Sequence, residues 1–276
     1  MNTPLLSSIS WPDLSVEQAA SVEAAMVVLS RERDFVGASA RVLSSRSGFV
    51  IRLTCVDGMH TLIKVSPTGE TREVATEFAS LNTLGRRYTQ RVKAFVYTHL
   101  NAVLALEWQN GPSLSSRWAD ADATDVGRRD DLRLIALELD RLHARGLVHG
   151  DLQPTHIRFA EEGPTLIDFG VSGAPATPFG GGLVHYIAPE YANDIVHGRT
   201  PERTFEGDWY ALLASAYAAI TGTAPVVYPD EADRDVRLAA IAERKFDFSG
   251  SQDTLALELG AALEGEASKR RSWFLE

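Results

Sequence analysis

The distribution of apolar positions changes character twice along the chain. From Ser15 to Arg33 (SVEQAASVEAAMVVLSRER), Val16, Ala19, Ala20, Ala24 and Val27 recur at helical spacing, with Glu17 and Glu23 among the polar positions. That spacing predicts a helix, which can pack against the segments that follow it or against a partner, packing in cis being the expectation. From Phe35 to Val65 short β-type runs take over: VGASARVL, GFVIRLTCV, the pair Asp57-Gly58, then TLIKV. Asp-Gly between two alternating runs predicts a hairpin. A helix follows over 71–84, with Val74, Ala75, Phe78 and Leu81 on one face. VKAFVYTHL and AVLALEW then complete a small antiparallel sheet with one helix.

Beyond Gly111 the pattern is helical. Leu132, Ile135, Ala136, Leu139 and Leu142 mark a helix that Gly146 terminates. Asp208 to Thr221 (DWYALLASAYAAIT) is apolar nearly all round, which predicts a buried central helix. Two more helical segments run over 233–242 and 255–263. There is no internal repeat and no low-complexity tract. A β-rich part before an α-rich part predicts an α+β class with two lobes and a cleft near Trp108 to Gly111. The expected boundaries are an N-terminal extension over 1–34, a first lobe over 35–108 and a second over 109–276.

Composition adds exclusions. At 276 residues, 45% hydrophobic and 23% charged, the chain is ordinary globular material. A net charge of −10 disfavours nucleic acid or an anionic membrane as a bulk partner. The single cysteine, Cys55, rules out an internal disulfide and reads as a small buried hydrophobe. MNTPLLSSIS lacks the basic start and apolar core of a signal peptide, and no window reaches the ~20 apolar residues of a membrane span. The expected location is cytoplasmic.

The candidate chemistry lies in LVHGDLQPTHIRFAEEGPTLIDFG, residues 147–170. Asp151 stands in a polar turn after a helix, where its carboxylate can face an incoming hydroxyl. Asp168 ends the short run Thr165-Leu166-Ile167, so its carboxylate can project from a strand end toward a metal ion. Upstream, Lys64 ends the third β-run and can supply a cation to phosphates. Glu77 on the next helix is its preferred carboxylate partner, with Glu73 the competing choice.

Together these residues resemble the protein-kinase superfamily, from about Phe35 onward. The leader LHARGLVHGD and the D-F-G at 168–170 resemble its catalytic loop and metal-binding segment. Tyr186-Ile187-Ala188-Pro189-Glu190 is similar to the close of a protein-kinase activation segment, and Asp208-Trp209-Tyr210 to the start of the helix that anchors the catalytic loop. The resemblance implies a small β-rich N-lobe with one main helix and a larger α-helical C-lobe. It implies ATP with Mg²⁺ or Mn²⁺, a protein or peptide acceptor, and no nucleic-acid or membrane partner. Asp151 and Lys64 take the catalytic roles. Lys64, Glu77, Gly48 and the backbones of Glu107 and Gln109 bind nucleotide, and Asp168 holds metal. By the same resemblance Glu190 pairs with Arg270, Leu106 guards the adenine pocket, and Leu81, His149 and Phe169 belong to an apolar stack.

Several positions depart from the family pattern. LSSRSGFV keeps Gly48 and Val50 but has serines where glycines are usual. Leu62 stands where alanine usually lies, Gly150 replaces the arginine of H-R-D, Gln153 replaces a lysine and Leu183 a threonine. His156 occupies the place of a metal-binding asparagine. It can ligate a cation, bridge through water, or hydrogen-bond the two aspartates with no metal role. Ser172 and Thr177 read either as phosphate acceptors or as ordinary exposed-loop residues, and Gly180-Gly181-Gly182 points to a mobile segment. The expected activity is an atypical ATP-dependent phosphotransfer to a hydroxyl. The alternatives are a nucleotide-binding pseudokinase or scaffold, and a small-molecule or biosynthetic peptide kinase.

Overall fold

The computed structural model describes residues 14–31, 35–46, 48–119, 124–229 and 231–275. The expectations for the first thirteen residues, for helix beyond residue 31 and for Ser47 in the serine-rich loop fall outside these. The chain divides into two compact units, residues 1–109 and 110–276.

The first unit begins with helix α1 (Val16–Leu29), started by a capping box in which Ser15 and Gln18 each bond the other's backbone N–H. Strands β1 (Ser39–Ser44), β2 (Phe49–Thr54) and β3 (His60–Val65) follow, then α2 (Arg72–Thr83), the short α3 (Arg86–Thr89), β4 (Val92–Tyr97) and β5 (Ala102–Glu107). The strands form one antiparallel sheet in the order β1-β2-β3-β5-β4. The 57–58 pair lies in the β2–β3 hairpin loop, where the Gly58 N–H donates to Cys55 O and the Asp57 carboxylate accepts from Met59 N.

Strand alternation gives this sheet two different faces. Ile51, Leu53, Ile63, Val65, Val103 and Ala105 turn toward α1 and form a closed core with Val22, Ala25, Met26 and Leu29. Cys55 lies in that core, as a small buried hydrophobe should. Lys64 and Leu62 belong to the opposite face, beside cross-strand partners Val50, Arg52, Leu104 and Leu106.

Helix α1 packs on its own sheet as expected, but through a different stripe. Its buried residues are Gln18, Ser21, Val22, Ala25, Met26 and Leu29, whereas Val16 is 82% and Val27 42% exposed. Ala20 and Ala24 are exposed as well. The periodicity allowed either stripe. The one with Val22, Met26 and Leu29 removes more apolar area from water, and it brings the Gln18 amide onto the Ser66 carbonyl at 2.8 Å.

The second unit is helical around one hairpin. It contains α4 (Leu114–Trp118), α5 (Asp125–His143), the paired strands β6 (Ile157–Ala160) and β7 (Gly163–Leu166), α6 (Pro189–Val196), α7 (Phe205–Thr221), α8 (Arg234–Ala242), α9 (Thr254–Glu264) and α10 (Arg270–Trp273). Helix α7 is buried continuously from Gly207 to Tyr217 and packs against α4, α9 and α10. It starts three residues before the predicted Asp208 because Thr204 caps it, accepting the Gly207 N–H at 3.1 Å. Asp208 therefore sits in the first turn. No described helix is long and apolar enough to cross a membrane.

Candidate functional site

In the first unit, the Lys64 ammonium donates to Glu77 Oε2 at 2.6 Å, and the two side chains are only 12% and 3% exposed. Strand β3 places the lysine on the face that α2 covers, and Glu77 lies on the buried side of that helix with Val74, Ser80 and Leu81. Glu73 is in the exposed first turn. Gly48 has φ +93°, and a Cβ there would stand 2.1 Å from the Val65 carbonyl oxygen. Its close approach is thus to the end of β3. Glu107 pairs with Lys93 at 3.2 Å, while its backbone N–H donates to Arg91 O and its carbonyl accepts from the Gln109 side-chain amide at 3.3 Å. Leu106 and Leu81 are both buried.

In the second unit the organising group is the Asp208 carboxylate, 2% exposed. It accepts from His149 N at 2.7 Å, Gly150 N at 2.9 Å and His143 Nε2 at 2.9 Å. Two consecutive backbone amides are therefore fixed just before Asp151. His149 is fully buried and packs on Phe169 with ring centroids 4.8 Å apart. Its Nε2 faces Ile167 O at 3.1 Å and its Nδ1 faces Asp151 N–H at 3.3 Å. A carbonyl can only accept and an amide N–H can only donate, so the ring is the neutral Nε2–H tautomer. Burial also lowers the His149 pKa from its usual value.

The Asp151 carboxylate meets the activation segment through the main chain, Oδ1 accepting from Leu183 N at 2.9 Å. A backbone N–H thus stands where the resemblance leads one to look for a threonine hydroxyl. Gly182 permits this approach: its φ is +139°, and a Cβ would lie 3.0 Å from Gly150 O and 3.5 Å from Asp151 Oδ1. The glycine run has a docking role that its composition alone did not reveal.

His156 lies between the two aspartates. Its Nδ1 is 2.8 Å from Asp151 O and 3.6 Å from Asp151 Oδ2, and its Nε2 is 3.5 Å from Asp168 Oδ2. The Asp151 carbonyl can only accept, which puts a proton on Nδ1, and Gln153 Nε2, 3.4 Å from the accepting Asp151 Oδ2, donates to His156 Nε2 at 3.0 Å. His156 is therefore protonated at Nδ1, with the Nε2 lone pair beside the Asp168 carboxylate. Asp168 itself has φ +69°, a left-handed conformation that few residue types adopt. Among the described residues no group of three or more His, Cys, Asp or Glu side chains is placed to hold a metal ion.

Ser172 corrects its exposed-loop reading: it is 3% exposed and its hydroxyl donates to Phe169 O at 2.7 Å. The D-F-G turn closes on this bond. Glu190 and Arg270 form a two-pronged pair at 2.5 and 3.1 Å, with the arginine 1% exposed. Sequence reasoning missed Arg203 and His143. Arg203 reads as a solvated loop cation and His143 as one more polar position on a helix, so neither carried a signal.

A small antiparallel-sheet unit with a buried lysine–glutamate pair, joined to a helical unit with an aspartate-anchored catalytic-type loop, defines a protein-kinase-like fold. No family model matches the chain. It is 30% identical over 190 residues to ribosomal protein S6 kinase alpha-3 of Mus musculus, covering 62% of this chain and 25% of that protein. It is 34% identical over 97 residues to the serine/threonine-protein kinase AfsK of Streptomyces griseus, covering 33% and 11%. With ribosomal protein S6 kinase alpha-6 of Danio rerio the identity is 38% over 98 residues, covering 33% and 12%. The chain spans a quarter or less of the length of these curated relatives. Fold and matches together support a likeness to the protein-kinase superfamily.

Proposed function

We propose that the chain is an atypical ATP-dependent phosphotransferase that moves the γ-phosphate to a hydroxyl of a protein or peptide. The observation that carries this reading is the Lys64–Glu77 pair. A nearly buried ion pair contributes little net stability compared with apolar side chains of similar size. Its presence beside Val50, Leu62 and Leu104 on that sheet face is accounted for by a ligand that needs a fixed cation. In the proposed reaction Lys64, held extended by Glu77, contacts the nucleotide phosphates. Gly48 lies near those phosphates, and the backbones of Glu107 and Gln109 meet adenine once the Gln109 amide leaves the Glu107 carbonyl.

The donor set fits a divalent cation held with help from phosphate oxygens and water. Asp168 would offer a carboxylate, and His156 its Nε2 once the Gln153 amide that donates to it at 3.0 Å has moved away; one or two protein ligands are typical where substrate phosphates complete the shell. Such a cation supplies charge neutralisation at the phosphates. Asp151 orients the acceptor hydroxyl and takes its proton as the oxygen bonds to the γ-phosphorus and the bond to the ADP oxygen breaks. The Leu183 N–H holds Oδ1, while Oδ2 faces the Gln153 amide at 3.4 Å and His156 Nδ1 at 3.6 Å.

A second reading is a nucleotide-binding pseudokinase. It is favoured by Gln153, whose amide is spent on His156 where the family places a γ-phosphate-binding lysine. One experiment separates the two. The protein is incubated with γ-labelled ATP and either Mg²⁺ or Mn²⁺, beside Asp151→Asn and His156→Asn. Transfer to itself or to a generic acceptor is expected, reduced about 10²-fold or more in Asp151→Asn, with His156→Asn shifted toward Mg²⁺. Transfer no greater than that of Asp151→Asn with either metal, while nucleotide still raises thermal stability, establishes the pseudokinase.

A further inference from the structure

The activation segment after Asp168 is held by a group that lies outside it. Arg203, 6% exposed, comes from the loop before α7. Its Nε and Nη2 both donate to Val171 O, at 3.2 and 2.9 Å. Its Nη1 donates to the Thr177 hydroxyl at 2.9 Å and to the Pro178 carbonyl. The backbones interlock around the same residue: Arg203 N donates to Thr177 O, Ala176 N to Arg203 O and Phe179 N to Pro201 O, at 2.8, 2.9 and 2.8 Å. A planar fork with several donors is suited to spanning three acceptors at once.

The catalytic loop approaches the same carbonyl from elsewhere. Gly150 has φ +79°, and a Cβ there would stand 3.0 Å from Val171 O. An arginine at position 150, the residue type the resemblance leads one to expect, would begin its side chain against an oxygen that Arg203 already holds. Gly173 is equally close, its Cβ position 3.1 Å from Arg203 Cζ. Gly150 and Gly173 thus leave room for this guanidinium.

We propose that Arg203 is a positioning residue that orders the activation segment over 171–183 without phosphorylation, its bonds to the Val171 and Pro178 carbonyls and the Thr177 hydroxyl replacing a phosphate–arginine contact. By fixing 171–178 it also fixes the chain that carries the Leu183 N–H to Asp151. The consequence for turnover rests on the phosphotransferase reading; the order of the segment does not.

The test is amide hydrogen exchange of the full chain without nucleotide, before and after treatment with a broad-specificity phosphatase. The wild-type segment keeps its protection after phosphatase. Arg203→Gln raises exchange over 174–183 by about tenfold or more while α5 and α7 keep theirs. Arg203→Lys behaves like the glutamine variant, because an ammonium cannot span the three acceptors. If the wild type transfers phosphate, kcat falls in both variants with the KM for ATP unchanged. Unchanged exchange in Arg203→Gln, or loosening of the wild-type segment by phosphatase, overturns the proposal. Should Arg203→Gln not fold, Thr177→Val removes one acceptor without stranding a charge. It is expected to loosen 174–179 in the phosphatase-treated protein, and unchanged exchange there overturns the proposal equally. A protein without transfer activity that still shows these exchange changes would refute the proposed function and leave the role of Arg203 standing.

Discussion

His149 illustrates how one side chain couples the D-F-G turn to the catalytic-type loop. Its ring bonds Ile167 O through one nitrogen and Asp151 N–H through the other, and burial holds its pKa down. The unfolded chain accepts a proton near the ordinary histidine value of 6.5 that the folded ring does not. Stability therefore falls as pH drops through about 6.5 and continues falling until the depressed folded value is reached. The slope approaches about 1.4 kcal/mol per pH unit for this group. Urea midpoints at pH 7.5 and 5.5 should show a larger acid loss for the wild type than for His149→Phe, whatever that variant costs at pH 7.5. Equal losses would remove His149 as the source. The aspartates and His149 were legible because family-type spacing marks them. The tautomer of His156 was not, since it depends on the Asp151 main-chain carbonyl that the folded loop sets against Nδ1.

At the scale of elements, the N-terminus of α6 and helix α10 are joined through Glu190 and Arg270, eighty positions apart in sequence. The arginine also donates to Glu206 O at 3.2 Å and lies over the Tyr210 ring at 5.0 Å, which ties both elements to α7. Removing it leaves a carboxylate without its cation. Because Glu190 stays 38% exposed, water offsets part of that loss. Arg270→Ala is expected to cost on the order of 3 kcal/mol in denaturant unfolding. A change below about 0.5 kcal/mol would show the pair to be dispensable. This pairing was legible from the resemblance alone, since no local pattern links residue 190 to residue 270. Helix α1 shows the limit of local pattern. Its small residues fit two stripes, and the choice was made by Met26, Leu29 and the Gln18–Ser66 bond, all of which need the sheet in place.

For the molecule as a whole, the sheet's two faces divide the labour of the first unit. One carries Lys64 and α2, and the other is closed by α1, so the first helix is a layer of the core on which the sheet depends. A fragment beginning at Phe35 exposes Ile51, Leu53, Ile63, Val65, Val103 and Ala105 together. It is expected to aggregate or to bind a hydrophobic dye. A soluble fragment that unfolds cooperatively would show the helix to be dispensable. The order of strands and helices was legible because alternation and helical spacing change where the elements change. The placement of Arg203 was not, because its partners are main-chain oxygens, which every sequence supplies.

The contact between Leu183 and Asp151 has a consequence for inherited variation. A hydroxyl donor can be deleted by a single codon change, whereas a peptide N–H is carried by every residue except proline. The contact with Asp151 therefore puts no demand on the side chain at position 183, which is 38% exposed. The constraint moves one residue upstream. At Gly182 any added side chain meets Gly150 O and the Asp151 carboxylate. Substitutions at 182 can thus disturb the Asp151 contact without touching Asp151 itself, while the N–H at 183 survives every substitution but proline.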